Sequence, residues 1–322
     1  MTHGARDCWV LTGGKLGTMS GALGLAEAVG LPITNKHVSS RRPWRWLPPA
    51  LWPTSVLGVG PEGDALEPPW PSLLISAGER AVGPALAIRR RSAGETFCVH
   101  IQHPRVNPKR FDLVTASAHD QLTGPNVRTT LGALHRVTHA AIEAGAAQLW
   151  DAVAHLPRPR IGVLVGGANR SYRFDPETAA RFATRLVDAA TETGGSLLIS
   201  ASRRTGAASE ALLRTRLAAV PSTFWDGTGN NPYLGYLGLA DAFVVTSDSV
   251  NMTTEACLTG KPVHVFKLPG KRRTKFETFH EQLVAEGYTR PFEGRIESWH
   301  YEGLDERTAL AHEIIGRLRS DT

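Results

Sequence analysis

FVVTSDSVNMTTEACLTGKPVHVF (residues 243–266) opens as an apolar run and breaks at the small polar residues Ser247, Asp248 and Ser249. It then continues at helical spacing to Gly260 and Pro262, where a second apolar run begins. Two short strands separated by one helix read as a parallel βαβ unit, since parallel neighbours need a crossover of a dozen or more residues. The pattern extends in both directions. Upstream lie IGVLV (161–165), SLLIS (196–200), TFW (223–225) and AFVVT (242–246), with helical spacing over 175–192, 209–219, 233–239 and 250–259. The first half repeats it with CWVLT (8–12), ITNKHVS (33–39), SLLIS (72–76), FCVHI (97–101) and DLVTA (112–116), and with helices over 20–29, 79–91 and 134–155. Such alternation predicts an α/β fold of two doubly wound, Rossmann-like domains. HLPRPR (155–160) carries two prolines and sets the expected boundary, giving domains 1–156 and 157–304. The stretch 305–322 opens with an acidic turn and reads as a helix returning to the first domain.

Composition narrows the function class. The 322 residues are 42% hydrophobic and 20% charged, an ordinary globular balance with enough chain for two cores. Cys8, Cys98 and Cys257 are odd in number, far apart and without metal-ligand spacing, which excludes a disulfide framework and favours a reducing compartment. No secretory or transit pattern opens the chain and no apolar run is long enough to span a bilayer, so a cytoplasmic location is expected. The net charge of +6 permits anionic partners, but without a basic stripe or an RNA-stacking motif nucleic acid is not among them. RRPWRWLPPALWP (41–53) interleaves arginine with tryptophan, a mixture suited to peripheral contact at the inner membrane or to a proline-rich crossover. PGKRRTK (269–275) stands out as a charged loop.

Ligands of open α/β sheets sit beyond the carboxyl ends of strands, which selects the turns to read. After the first strand, Gly13, Gly14 and Gly17 allow close backbone approach and Lys15 could neutralise phosphate, although neither the P-loop nor the dinucleotide fingerprint is present. After the first strand of the second half, Gly166 and Gly167 with Asn169 and Arg170 suit a diphosphate cradle. Ser202, Arg203 and Arg204 leave a buried strand with guanidinium forks that match phosphate oxygens. Asn231 precedes a short helix; Ser247, Asp248, Ser249, Asn251 and Met252 enter another; Glu255 on that helix could accept two hydrogen bonds from ribose hydroxyls. Each position also has a plainer use, as a turn, a cap or a solvated charge. In the first half, His119 and Asp120 follow a strand and form the candidate acid/base pair. No metal-ligand pattern occurs, and neither a metal nor a bound cofactor is expected.

GLAEAVG (24–30), HPR (103–105), FDLV (111–114), HDQLTGPNV (119–127), TLGALHRVT (130–138), SRRT (202–205), NPY (231–233) and TSDSVNMTTEACLTGKPV (246–263) resemble the mitochondrial fission Elm family over about residues 11–301. The resemblance implies a glycosyltransferase-B-like architecture, with two facing Rossmann-like domains and a nucleotide-sugar site mainly in the second. It also implies that Glu255 holds the ribose, that Ser249 and Asn251 meet diphosphate or sugar, and that Arg203 and Arg204 neutralise phosphate. Gly21 departs from the family pattern, which has glutamine there. The expected activity is metal-independent transfer from a nucleotide-diphosphate sugar to an acceptor. The alternatives are a nucleotide-sugar epimerase and a non-catalytic interaction protein with a vestigial cleft.

Overall fold

The computed structural model describes residues 6–14, 16–39, 60–225, 227–271 and 274–320. Lys15 and the tryptophan-rich 41–53 segment lie outside the described residues. The chain divides into two compact units, residues 1–136 with 305–322, and residues 137–304.

The first unit begins β1 (Cys8–Thr12), α1 (Leu16–Val29), β2 (Ile33–His37), β3 (Leu73–Ala77), α2 (Glu79–Arg91), β4 (Phe97–Ile101), β5 (Leu113–Ser117) and β6 (Val127–Thr130). The second runs α3 (His139–Val153), β7 (Arg160–Val165), α4 (Pro176–Thr193), β8 (Ser196–Ala201), α5 (Ala207–Leu217), β9 (Ser222–Phe224), α6 (Tyr233–Leu239), β10 (Ala242–Thr246), α7 (Val250–Cys257), β11 (Val263–Phe266), α8 (Lys275–Ala285) and β12 (Thr289–Pro291). The last helix, α9 (Glu306–Ser320), packs on α1 of the first unit. Among the described residues each unit holds one parallel six-stranded sheet, ordered β2-β1-β3-β4-β5-β6 in the first and β12-β11-β10-β7-β8-β9 in the second. This is the α/β class expected from the alternation.

Central strands are buried throughout and largely apolar because helices cover both faces. β1, β3, β7 and β10 are buried at every position. In the second unit α4 lays Phe182, Ala183 and Leu186 against Val163, Ile199 and Phe266. In the first, Leu25 and Ala26 of α1 meet Val10, Ile75 and Ile314. Gly21 faces the Leu134 carbonyl, which a Cβ would approach to 2.9 Å, and Gly24 faces that of His135 at 2.2 Å. The chain therefore passes too close to α1 for a glutamine at position 21.

The compact units divide between residues 136 and 137, while the prolines set the expected boundary at 156. The 134–155 helix starts later than its periodicity suggests, because Thr138 caps α3 by accepting from the Ala141 amide at 3.0 Å. Once begun, α3 packs on α6 backbone to backbone. A Cβ on Gly145 would lie 2.8 Å from the Gly235 amide nitrogen, and one on Gly238 would lie 2.7 Å from the Ala146 Cβ. Contacts that close tie α3 to the second unit. Replacing Gly238 with valine is expected to destabilise this unit by roughly 1–3 kcal/mol through overpacking; an unchanged urea midpoint would disprove the contact.

β6, β12 and α8 were not expected from the pattern. Both strands are sheet edges, where burial is incomplete and the apolar run is short. Among the described residues no helix is long and apolar enough to cross a membrane.

Candidate functional site

Strand order reverses between β1 and β3 in the first unit and between β7 and β10 in the second, so adjacent strands send their following loops apart and open a crevice at their carboxyl ends. In the second unit this brings the 166–172 loop after β7 beside the 247–249 loop after β10, with the 202–206 loop after β8 alongside.

The glycine turn is filled by protein. A Cβ on Gly166 would lie 2.2 Å from Asp248 Oδ2, and Gly167, at φ 123°, would place one 2.2 Å from the Arg204 carbonyl oxygen. Asp248 is 2% exposed. Its Oδ1 accepts from the Thr246 hydroxyl at 2.7 Å, and its Oδ2 lies 2.9 Å from Arg204 Nη1. Burial pushes this carboxyl above its ordinary value, against the hydroxyl and the guanidinium that favour its charge. The Ser202 hydroxyl donates to the Gly166 carbonyl and accepts from the Arg204 amide at 3.2 Å. Asn169 accepts from the Ser171 and Tyr172 amides at 2.7 and 3.0 Å and donates to the Asp248 carbonyl at 3.4 Å. Gly166, Gly167, Asn169, Ser202, Arg204 and Asp248 thus form one interlocked set. Arg203 and Arg170 stand exposed beside it, with no carboxylate in ion-pair range among the described residues.

Ser249 caps α7, its hydroxyl accepting from the Met252 amide at 3.3 Å. Ser247 is buried; its hydroxyl accepts from the Leu268 amide at 3.0 Å and its carbonyl meets His280 Nε2 at 2.8 Å. Asn251 and Met252 are half-buried in the first turn of α7. Asn231 is exposed and accepts from the Tyr233 amide at 3.0 Å.

Glu255 has a partner that the spacing of the sequence does not disclose. The Tyr233 hydroxyl of α6 donates to Glu255 Oε2. Burial raises the Glu255 carboxyl to about 7, and the Tyr233 hydrogen bond acts the other way. With Oε2 engaged, only Oε1 remains available without displacing Tyr233. Lys261 anchors α6 from its far end, donating to the Gly238 and Ala240 carbonyls at 2.7 and 2.6 Å, so the lysine of the GKP segment is a helix cap.

In the first unit, Gly14 turns at φ 79° against the His37 ring and a Cβ on Gly13 would lie 3.1 Å from Arg80 Cδ. Gly17 is exposed in the first turn of α1. His119 and Asp120 fall on a 3-10 turn, Ala118–Asp120, after β5; Asp120 is half-buried, and the His119 side chain lies outside the described residues. His100 is structural: fully buried, 2.9 Å from the Ser76 hydroxyl and pushed by desolvation down to about 3. Among the described residues no three His, Cys, Asp or Glu side chains gather as metal ligands.

The family model for mitochondrial fission ELM1 matches residues 17–318. The chain belongs to this family. It is 32% identical over 275 residues to mitochondrial fission protein ELM1 of Arabidopsis thaliana, covering 77% of this chain and 64% of that protein, so it spans less than two thirds of that relative's length. An uncharacterized protein, RP120, of Rickettsia prowazekii is 25% identical over 96% of this chain and 97% of its own. Among solved structures, the UDP-GlcNAc 2-epimerase of Methanocaldococcus jannaschii superposes with a TM-score of 0.57 at 9% identity, covering 98% of this chain and all of that one. The Neisseria meningitidis enzyme of the same name, bound to UDP-GlcNAc, gives 0.52 at 13%, with 98% and 100% covered. Medicago truncatula UGT71G1, complexed with UDP-glucose, gives 0.50 at 11%, with 98% and 93% covered. At such identities the likeness concerns fold. This ELM1-family chain therefore shares the fold of these UDP-GlcNAc 2-epimerases and of UGT71G1.

Proposed function

We propose that this ELM1-family chain binds a nucleotide-diphosphate sugar on its second unit and transfers the sugar to an acceptor hydroxyl without a metal. The Tyr233–Glu255 pair carries this reading: a carboxylate with one oxygen engaged and the other available, on the helix that opens at the sheet's switch point. The available oxygen suits a ribose hydroxyl donor. Amides in the first turn of α7 and the exposed Arg203 and Arg170 suit the diphosphate. Arg204 lies 2.9 Å from Asp248, which favours Arg203 over Arg204 as the phosphate ligand in this reading. In the proposed reaction the acceptor oxygen forms a bond to the anomeric carbon while the bond to the diphosphate oxygen breaks. The leaving diphosphate keeps its electron pair beside Arg203, and a general base takes the acceptor proton.

The solved neighbours that hold UDP-sugars make these the first compounds to try, followed by GDP-, CMP- and TDP-sugars. Ligand at 100 times its dissociation constant is expected to add about 2.7 kcal/mol of stability, visible as a rise in melting temperature; no response to any of the four classes overturns the proposal. The interlocked Gly166–Asp248–Arg204 set favours a second reading, in which nucleotide is held but no sugar moves. Product analysis separates the two, and isomerised sugar without acceptor would indicate an epimerase.

A further inference from the structure

We propose that a concavity beside β11 is a second binding site in this unit, for a phosphate-bearing anion of two or more charges. It has a volume of about 920 Å³ and is lined by Arg181 and Arg185 of α4, by Lys267 and Lys271, and by the carboxylates Glu277 and Glu293. That volume falls in the range of small-molecule sites and exceeds the needs of a single phosphate. The four cations come from separate stretches of chain yet line one space.

Their pairing is incomplete. Arg185 donates to the Phe292 carbonyl at 3.0 Å and meets Glu293 at 2.9 Å, while Lys267 meets Glu277 at 2.9 Å. Arg181 and Lys271 are exposed and have no carboxylate in ion-pair range among the described residues. Arg181 and Arg185 lie one helical turn apart, each with its guanidinium carbon 5.8 Å from the Phe266 ring centroid. Glu277 and Glu293 also line the concavity and offset Lys267 and Arg185, so Arg181 and Lys271 are the positive charges left for an anion to offset. Backbone hydrogen bonds fix the loop that carries Lys271. The Lys271 amide donates to the Ser171 carbonyl and the Arg173 amide to the Pro269 carbonyl, both at 2.9 Å. Gly270 between them leaves no room for a Cβ, which would lie 2.2 Å from the Ser171 oxygen. The charged loop singled out in the sequence thus begins as a fixed wall.

Phosphate fits this donor set best, since guanidinium forks and ammonium groups match its oxygens. Tyr172 forms part of the lining, and its backbone pairs with that of Gly270.

Such an anion could be a free phosphorylated metabolite or a lipid headgroup, and two probes separate them. Calorimetry on the full chain with pyrophosphate is expected to show binding that survives Arg203→Ser and weakens at least about tenfold in Arg181→Ser/Lys271→Ser. The charge-preserving Arg181→Lys/Lys271→Arg variant should retain it, which excludes misfolding as the cause of the loss. Co-sedimentation with phosphatidic acid vesicles, absent with neutral vesicles and competed by pyrophosphate, would assign the headgroup; pyrophosphate binding alone would assign the free anion. No pyrophosphate binding, equal binding by the double serine variant, or loss in Arg203→Ser instead would overturn the site.

Discussion

Gly167→Ala is expected to cost the second unit roughly 2–5 kcal/mol. Two penalties combine at that position. Its φ of 123° lies where side chains are strained, and the added methyl would sit 2.2 Å from the Arg204 carbonyl oxygen and 2.3 Å from its carbonyl carbon. Because the obstacle is backbone, no rotamer change relieves it. Gly194 supplies the control. At φ 64° it shares the positive torsion, ends α4, and would meet nothing within 4 Å. Gly194→Ala should cost about 1 kcal/mol, the torsional part alone. Urea unfolding of the two variants side by side measures the difference. Equal losses would show that the turn can open, and that Gly167 is present for a ligand's approach and not for Arg204.

That comparison bears on how far a glycine turn can be read. The sequence locates the turns correctly, since Gly166 and Gly167 follow β7 at the sheet's switch point. It does not disclose what the missing side chains make room for. In this unit the space is taken by Asp248 and by the Arg204 backbone, which come from loops about 80 and 40 residues downstream. The fold was more legible than the site for a related reason. A parallel strand covered on both faces is largely apolar along its length, so CWVLT, FCVHI, AFVVT and VHVF mark their strands to the residue. The edge strands β6 and β12 carry VRTT and TRP, which satisfy no such rule. α8 left a local signal that went unread: Thr274 with Glu277 three residues on, the Thr274 hydroxyl accepting from the Glu277 amide at 3.4 Å. The α3 boundary left none, because only the packing of Gly145 on Gly235 assigns that helix to its unit.

Tyr233 and Glu255 are 22 positions apart on helices separated by β10, so their pairing also had to come from structure. It yields the largest functional effect expected. Burial holds the Glu255 carboxyl at about 7, with the Tyr233 hydroxyl opposing the rise. Tyr233 is the titratable side chain that acts on it, and Glu255 in turn pushes the phenol well above its usual range, after burial. A ribose hydroxyl donates to the ionised form, so binding favours loss of the proton. Nucleotide affinity should therefore rise with pH up to about 7 and level off above it. Glu255→Gln should remove the slope and weaken binding above pH 7 by about tenfold or more, the scale of one hydrogen bond to a charged group. Tyr233→Phe should act differently. It deletes the hydrogen bond that favours ionisation, so the midpoint moves to higher pH, binding falls at pH 7, and alkaline solution restores it. A merely structural role for Tyr233 would lower affinity equally at every pH. Calorimetric titration with the nucleotide identified by the melting screen, repeated from pH 5.5 to 9, distinguishes these outcomes. A flat wild-type profile would remove Glu255 from the site, while a sloped one that Tyr233→Phe leaves in place would keep Glu255 and dismiss its partner.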